Sequence, residues 1–194
     1  MEGKFLDENG QEFCKFIVPT EYCPGVDLIS KIVLSDSRIV NAITISIVKA
    51  EKDSYVAELL GFMHQNYGAV LYTPHNFETD LPPIVINIID TFEEKKFNQI
   101  IQQCTNIFEQ YNTLPICVII VVQQLDEKII EQSSQHHDLP LLREIPCAFW
   151  AKQCIIMSSK DIKLNKSEVK HHPLLDIIIA ITSNEKVILC NDSL

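Results

Sequence analysis

Residues 83–122 carry the pattern that most restricts what this chain can fold into. The run 84–89 is almost continuously apolar and β-branched, which predicts a strand that is covered on both faces. From Phe97 to Tyr111, apolar residues recur at steps of three and four and predict one helical stripe. The apolar run 116–122 predicts a second buried strand, internal to its sheet. Strand, long helix and strand favour a right-handed parallel crossover, and therefore an α/β fold.

Further helices and strands are predicted around this unit. Thr91 and Glu94 have the spacing of a capping box, which predicts that the central helix starts there. Residues 36–50 fit a helix or a strand, and the length of the pattern favours the helix. A helix is also predicted at 53–66, with one apolar face made by Tyr55, Val56, Leu59, Leu60 and Met63. The remaining predictions are a strand at 68–73, a short helix at 126–135, a strand within 150–157 and a helix at 172–183.

The chain has 194 residues, which suits one domain. We expect a polar N-terminal lead-in at 1–24 and a single α/β domain at 25–194. The lead-in has no apolar run, so we expect neither a signal peptide nor a membrane anchor. The expected location is intracellular, in the cytoplasm or nucleus.

The net charge is −10, which disfavours nucleic acid as a general partner without excluding a local basic groove. The seven cysteines include no Cys-x-x-Cys pair, so no zinc-ribbon spacing is present. Cys104 and Cys117 lie in strongly apolar stretches. This arrangement predicts buried free thiols in a reducing compartment, and no disulfides.

Several polar clusters resemble sites but have simpler explanations. The doublets at 136–137 and 171–172 place histidines next to each other, which is poor geometry for a shared metal ion. A cysteine nucleophile at Cys104 is disfavoured because a buried thiol has a raised pKa. The cluster made by Lys160, Lys163, Lys166, Lys170 and the second histidine doublet fits a solvated face better than an anion site. There is no glycine-rich phosphate loop.

The segment 81–116 resembles the PD-(D/E)XK, or restriction-endonuclease-like, nuclease superfamily. The similarity rests on the residues from Leu81 to Ile89, on the helix after them and on the strand that begins with 113–116. Flanking pieces at 31–36, 150–154 and 172–174 agree, and the likeness spans roughly 25–184. Within the superfamily, the chain looks like a fungal expansion related to transposon-associated nucleases. The resemblance implies a central mixed sheet flanked by helices, with the crossover at 83–122.

The resemblance also implies a metal site, and this chain departs from it at each position. The family uses an acid near one strand, and an acid and a Lys or Gln two residues apart on the next, to hold Mg²⁺ and activate water. The matching positions here are Ala69, Asn87 and Ile89. None of these side chains supplies the negative charge that holds a hard cation. Acids that could substitute are Glu58, Asp80 and Asp90.

Two hypotheses follow. The favoured one is a catalytically degenerate nuclease fold that needs no cofactor and serves as a binding or interaction module, or is a decaying mobile-element-derived protein. Its partner is unknown, and both a protein partner and a homodimer remain open. The alternative is an active Mg²⁺-dependent DNA endonuclease with a rearranged site. A shared fold does not decide between them.

Overall fold

The computed structural model describes residues 3–6, 12–17, 28–59, 69–76, 80–137, 141–164, 172–182 and 187–191. Its helices are α1 Leu28–Leu34, α2 Ser37–Val48, α3 Glu94–Tyr111, α4 Glu127–Gln132, α5 Ser159–Leu164 and α6 Pro173–Thr182. Its strands are β1 Gly3–Leu6, β2 Glu12–Ile17, β3 Tyr55–Leu59, β4 Ala69–Pro74, β5 Ile84–Phe92, β6 Ile116–Leu125, β7 Ser134–Gln135, β8 Leu142–Glu144, β9 Gln153–Ser158 and β10 Val187–Asn191. No helix in these ranges is both long enough and apolar enough to cross a membrane.

A seven-stranded mixed sheet organises the molecule, in the order β3-β4-β5-β6-β9-β8-β7. Strands β5, β6 and β9 are parallel, and the other pairings are antiparallel. The predicted crossover is confirmed, because β5 and β6 lie side by side, run in the same direction and are joined by α3. The fold is therefore α/β with a mixed sheet flanked by helices, and β6 is internal as predicted.

Each face of this sheet is covered by its own apolar layer. On the first face, α1, α2, α5 and α6 pack against alternate residues of β4, β5, β6 and β9, including Ile86 and Ile120. On the second face, α3, α4 and the segment 145–151 pack against the intervening residues, including Val85 and Ile119. We call the second one the α3 face. Because neighbouring residues of a strand point to opposite faces, the continuously apolar runs supply both layers.

A second sheet joins the two ends of the described chain, in the order β1-β2-β10. Both of its pairings are antiparallel, and Cys14 lies opposite Cys190. Strands β1 and β2 fall within the predicted lead-in at 1–24, to which the sequence analysis assigned no strand. They were missed because the pairing of β2 with β10 joins residues far apart in the sequence, and local periodicity does not report such pairing.

Two local predictions are wrong. Residues 55–59 of the predicted helix form the strand β3, and residues 60–66 lie outside the described ranges. The predicted capping box is also wrong, since Thr91 belongs to β5 and Glu93 occupies the N-cap without a side-chain hydrogen bond. The helix α5, which follows β9 directly, was not predicted.

Other helix ends follow the sequence closely, and the helix favoured at 36–50 is confirmed. The carboxylate of Asp36 caps α2 by accepting from the Arg38 backbone N–H at 3.0 Å, and the Arg38 guanidinium binds both of its oxygens at 2.8 Å. Burial raises the pKa of Asp36, but these hydrogen bonds outweigh it and hold the pKa below 3.8. Asn112 ends α3 in the left-handed conformation, which asparagine tolerates well.

Candidate functional site

The positions that the resemblance assigns to the metal site do meet in one row across the sheet. Ala69 on β4 lies opposite Asn87 on β5, and Asn87 lies opposite Ile119 on β6. Side chains of cross-strand partners point to the same face, here the α3 face. Ile89 follows two residues after Asn87 and also packs against the α3 face. Ala69 and Asn87 are therefore cross-strand neighbours, and Ile89 lies on the same face; their assignment to a metal site stays a prediction.

Apolar groups surround Asn87 in this row. Its side chain is 6% exposed, and Ala69 and Ile119 are fully buried beside it. The amide nitrogen Nδ2 is buried and has no hydrogen-bond partner among the described residues. An asparagine carbonyl with two apolar neighbours supplies none of the charge that Mg²⁺ needs from its ligands. The residues in this row do not fit a magnesium site.

The Glu58 carboxylate is held by hydrogen bonds to residues other than Asn87. On β3, its Oε1 accepts from the Thr73 hydroxyl at 2.9 Å, and its Oε2 accepts from the Tyr111 hydroxyl at 3.3 Å. Glu58 lies opposite Leu71, two residues along β4 from Ala69, which is about 7 Å at the rise of a strand, and Asn87 lies one strand further on. Glu58 thus connects the edge of the sheet to the C-terminal end of α3, at a distance from the row that contains Asn87. Burial and the nearby Glu58 carboxylate raise the pKa of Tyr111.

The other two acids lie at opposite ends of β5. Asp80 is exposed and precedes the strand. Asp90 is half-buried near its carboxyl end, where the register between β5 and β6 shifts between Ile89 and Thr91. The structure does not bring the three candidate acids together. Among the residues it describes, no group of three or more His, Cys, Asp or Glu side chains is placed to hold a metal ion.

Four cysteines line the α3 face as free thiols, namely Cys104, Cys117, Cys147 and Cys154. The predicted burial of Cys104 and Cys117 is confirmed. Hydrogen bonds with Cys104 and Cys154 that favour the neutral thiol, together with burial, raise the pKa of Cys117 well above its usual value. Burial likewise raises the pKa of half-buried Cys147 to about 11. Thiols with raised pKa values, such as those of Cys117 and Cys147, are poor nucleophiles and poor metal ligands, so their role here is packing.

The histidine doublets are separated by the fold. His136 follows β7, donates its backbone N–H to Leu142 and places Nε2 3.4 Å from Glu144. His172 begins α6, where its backbone carbonyl accepts from Leu175 and Asp176. Burial and the nearby Lys49 lower the pKa of His172. Asp138 and His171 lie outside the described residues, as do Lys166 and Lys170 from the predicted basic cluster.

One polar residue of this region was not singled out from the sequence. Gln103 lies on the buried side of α3 with Ile100 and Ile107, is 9% exposed, and has a buried Oε1 without a partner among the described residues. Ile100 and Ile107 lie three residues before and four residues after Gln103, and this spacing indicates from the sequence that Gln103 lies on the same buried side of the helix.

In comparisons with models of protein families, with curated proteins and with solved structures, this chain matches none.

Proposed function

We propose that this chain has a PD-(D/E)XK-like core whose metal site has been replaced by packing, and that it acts by binding a partner without hydrolysing DNA. The observation that carries the proposal is the environment of Asn87, which is buried in a row between Ala69 and Ile119. A site for phosphodiester hydrolysis needs a cation that both positions the phosphate and activates water. This row offers neither a carboxylate nor a group that could activate water.

The arrangement of the sheet supports the nuclease-like part of the proposal. The resemblance implies a central mixed sheet flanked by helices, with a strand–helix–strand crossover, and the chain has both. Positions separated by 18 residues in sequence, Ala69 and Asn87, lie side by side where the family would converge its acids. A fold of this kind hosts many activities, so the proposal depends on the site and not on the sheet.

An exposed aromatic side chain supports the binding part of the proposal. Phe149 is 98% exposed at the tip of the segment 145–151. The turn is braced because Trp150 and Ala151 both donate backbone hydrogen bonds to Cys147, and the Trp150 ring packs edge-on against Phe97. Rigid exposed aromatics are favoured at protein interfaces because they bury a large area at little entropic cost. The net charge of −10 favours a protein partner over nucleic acid.

The first experiment asks directly whether the chain cleaves DNA. Purified protein is incubated with supercoiled and linear DNA and Mg²⁺ or Mn²⁺, and we expect no cleavage that chelation abolishes. The variants Glu58→Ala and Asp90→Ala are compared with the surface control Lys152→Ala. Metal-dependent cleavage that disappears in either acid variant but persists in the control would establish the active nuclease instead.

The second experiment rebuilds the implied metal site with Ala69→Asp, Asn87→Glu and Ile89→Lys together. We expect unfolding to become easier by about 3 kcal/mol or more, because the new charges are enclosed by apolar groups. Chemical denaturation measures this loss. The matched control makes the same three charge changes on the exposed side of α3, as Asn98→Asp, Gln99→Glu and Gln102→Lys. A rebuilt protein that is as stable as its control and cleaves DNA would contradict replacement of the site by packing.

Binding is tested by sedimentation of the wild type and of Phe149→Ser over a range of concentrations. A homodimer that dissociates in the variant would identify a second copy of the chain as the partner. A monomer at all concentrations would exclude the homodimer and leave a different protein as the partner.

A further inference from the structure

Two buried side-chain amides on the α3 face, those of Asn87 and Gln103, have complementary polar atoms without hydrogen-bond partners among the described residues. Asn87 presents a donor, Nδ2, and Gln103 presents an acceptor, Oε1, and neither atom has a hydrogen-bond partner among the described residues. Both side chains are at least nine-tenths buried. A buried polar atom that stays unpaired costs about 1–3 kcal/mol, so two such atoms on one face call for a common explanation.

The packing of α3 places Gln103 on the flank that faces Asn87. The thiol of Cys104, the next residue along the helix, contacts Cys117 on β6. Phe97, on the side of the helix away from Gln103, packs against Trp150 just before β9. Successive residues of a helix are about 100° apart, so Gln103 faces the opposite flank, toward β5 and β4. Asn87 on β5 lies there, with Ala69 of β4 beside it.

The two side chains lie within about two strand residues of each other along the strand direction. Cys117 is opposite Val85, so Cys104 marks the level of Val85, and Asn87 lies two residues, about 7 Å, closer to the carboxyl end of β5. A crossover helix runs opposite to its strands, so its N-terminus points toward that carboxyl end. Helical side chains tilt toward the helix N-terminus, which directs Gln103 toward Asn87.

The surroundings determine what fits between the two amides. Ala69 is the smallest side chain in the row, and Val85, Ile119 and Ile107 are buried in the same apolar layer. The occupant has to accept from Asn87 Nδ2 and donate to Gln103 Oε1, and it has to be neutral because no charged group of the row would balance it. A water molecule meets each condition, since buried waters satisfy two to four otherwise unpaired polar groups.

We propose that Asn87 and Gln103 bind one long-lived water molecule between β5 and α3, beside Ala69. Nδ2 of Asn87 donates to the water oxygen, and the water donates to Oε1 of Gln103. The water lies where a nuclease of this fold would hold its cation, so a neutral ligand replaces a charged one. The inference stands on the two unpaired amides and holds whether or not the chain hydrolyses DNA.

The deciding measurement is magnetisation transfer from water to the Asn87 side-chain amide protons in the folded wild-type protein. We expect a cross-peak of the sign given by a long-lived water, and we expect Ala69→Val to abolish it by occupying the space. The side-chain amide of the exposed neighbour Gln102 serves as the internal control, and we expect it to show only the rapid exchange with bulk water of a solvent-exposed group. A direct contact between the Asn87 and Gln103 amides, or between Asn87 and a side chain from 60–68, without a water cross-peak would overturn the proposal.

A double-mutant cycle provides an independent measurement. Asn87→Leu and Gln103→Leu each remove one partner of the water, and we expect each to increase the unfolding equilibrium constant roughly tenfold. The combined variant removes both partners and expels the water, so its loss should be clearly smaller than the sum of the two single losses. Gln102→Leu should change the constant by less than twofold. Strictly additive losses from Asn87→Leu and Gln103→Leu would contradict a shared ligand.

Discussion

The two faces of the central sheet are made by the same strands but treat buried polar groups differently. On the first face, the Tyr72 hydroxyl donates to the Leu34 carbonyl at 2.6 Å, and the Ser159 hydroxyl donates to Thr182 at 2.7 Å. On the α3 face, the amide atoms of Asn87 and Gln103 have no partner among the described residues. These hydroxyls on the first face hold helices and strands together, although His172 Nδ1 at the start of α6 is also without a partner among the described residues. On the α3 face, two buried amides near one another are not explained by packing alone.

This difference shows where the chain departs from what stability alone would select. Apolar residues of similar size at both 87 and 103 would need no partner from outside the fold. The α3 face also carries Ala69, Asn87 and Ile89, the positions that the resemblance assigns to a metal site. Buried polar residues whose partners the fold itself does not supply are characteristic of a present or former functional site.

A new buried amide on each face should reveal the largest difference in stability between the two faces. Ile119 and Ile120 are adjacent on β6, equally buried, and face opposite sides. We expect Ile120→Asn to lose about 3–5 kcal/mol of stability, because it removes apolar packing and buries an unpaired amide. Ile119→Asn should lose about 1–2 kcal/mol less, since the new carbonyl lies next to the Nδ2 of Asn87.

Urea denaturation of the two variants measures this difference, and Ile119→Ala and Ile120→Ala serve as controls for the lost packing. The alanine variants should differ from each other by less than the asparagine variants do. Equal losses for the two asparagine variants would show that Asn87 offers no usable partner.

A second effect, at high pH, comes from the tyrosines of the first face. Tyr55 donates its hydroxyl to the Pro82 carbonyl at 2.8 Å, and burial raises its pKa to about 12; burial also raises the pKa of Tyr72 strongly. The unfolded chain ionises these hydroxyls near pH 10, before the folded chain does. Their contribution to stability is therefore complete below pH 10 and is lost as pH rises toward 12 and beyond.

Denaturant midpoints measured between pH 9 and 12 test this expectation, with the protein kept reduced throughout. Tyr55→Phe should make the decline with pH shallower because it removes one ionising group, although the variant starts from lower stability. A decline of unchanged steepness in Tyr55→Phe would mean that other groups control alkaline unfolding.

The smallest expected effect lies at the edge of the α3 face, where Tyr111 and Thr73 hold Glu58. We expect Tyr111→Phe to lose about 0.5 kcal/mol, because its hydrogen bond is largely exposed to solvent. Glu58→Gln keeps an acceptor and should lose no more than that. Thermal unfolding measures both losses, and Glu109→Gln on the exposed side of α3 is the control. A loss of several kcal/mol in Tyr111→Phe would give this contact a larger role than its exposure indicates.

The sequence correctly predicted those helices and strands whose apolar pattern fits only one of the two structures. The residues of β5 and β6 are apolar at consecutive positions, which an amphipathic helix cannot be, and α3 is apolar only at helical spacing. Residues 55–59 allowed both patterns, because Tyr55 and Leu59 are spaced for either structure. These residues form a strand because they pair with β4, and the local sequence pattern does not reveal that pairing.

The same limit applied to the candidate site. Ala69 and Asn87 pair across neighbouring strands and Ile89 follows on the same face, which is the spacing that the resemblance implies, while their role in a metal site stays a prediction. The role of Glu58 depends on Tyr111, which is 53 residues away, and the unpaired Gln103 depends on how α3 is rotated against the sheet. These features follow from tertiary packing, which a single sequence does not specify locally.

The central position of β6 has a consequence for the protein as it leaves the ribosome. Its partner β5 precedes it, so one edge is paired as soon as Leu125 has been made, but the other edge waits for β9 at 153–158. During that interval the nascent chain presents an apolar strand with unpaired backbone groups, which is a template for association with other chains. Translation that stops between these two strands should therefore yield an aggregating product, whereas chains that extend past Ser158 close the sheet by their own folding.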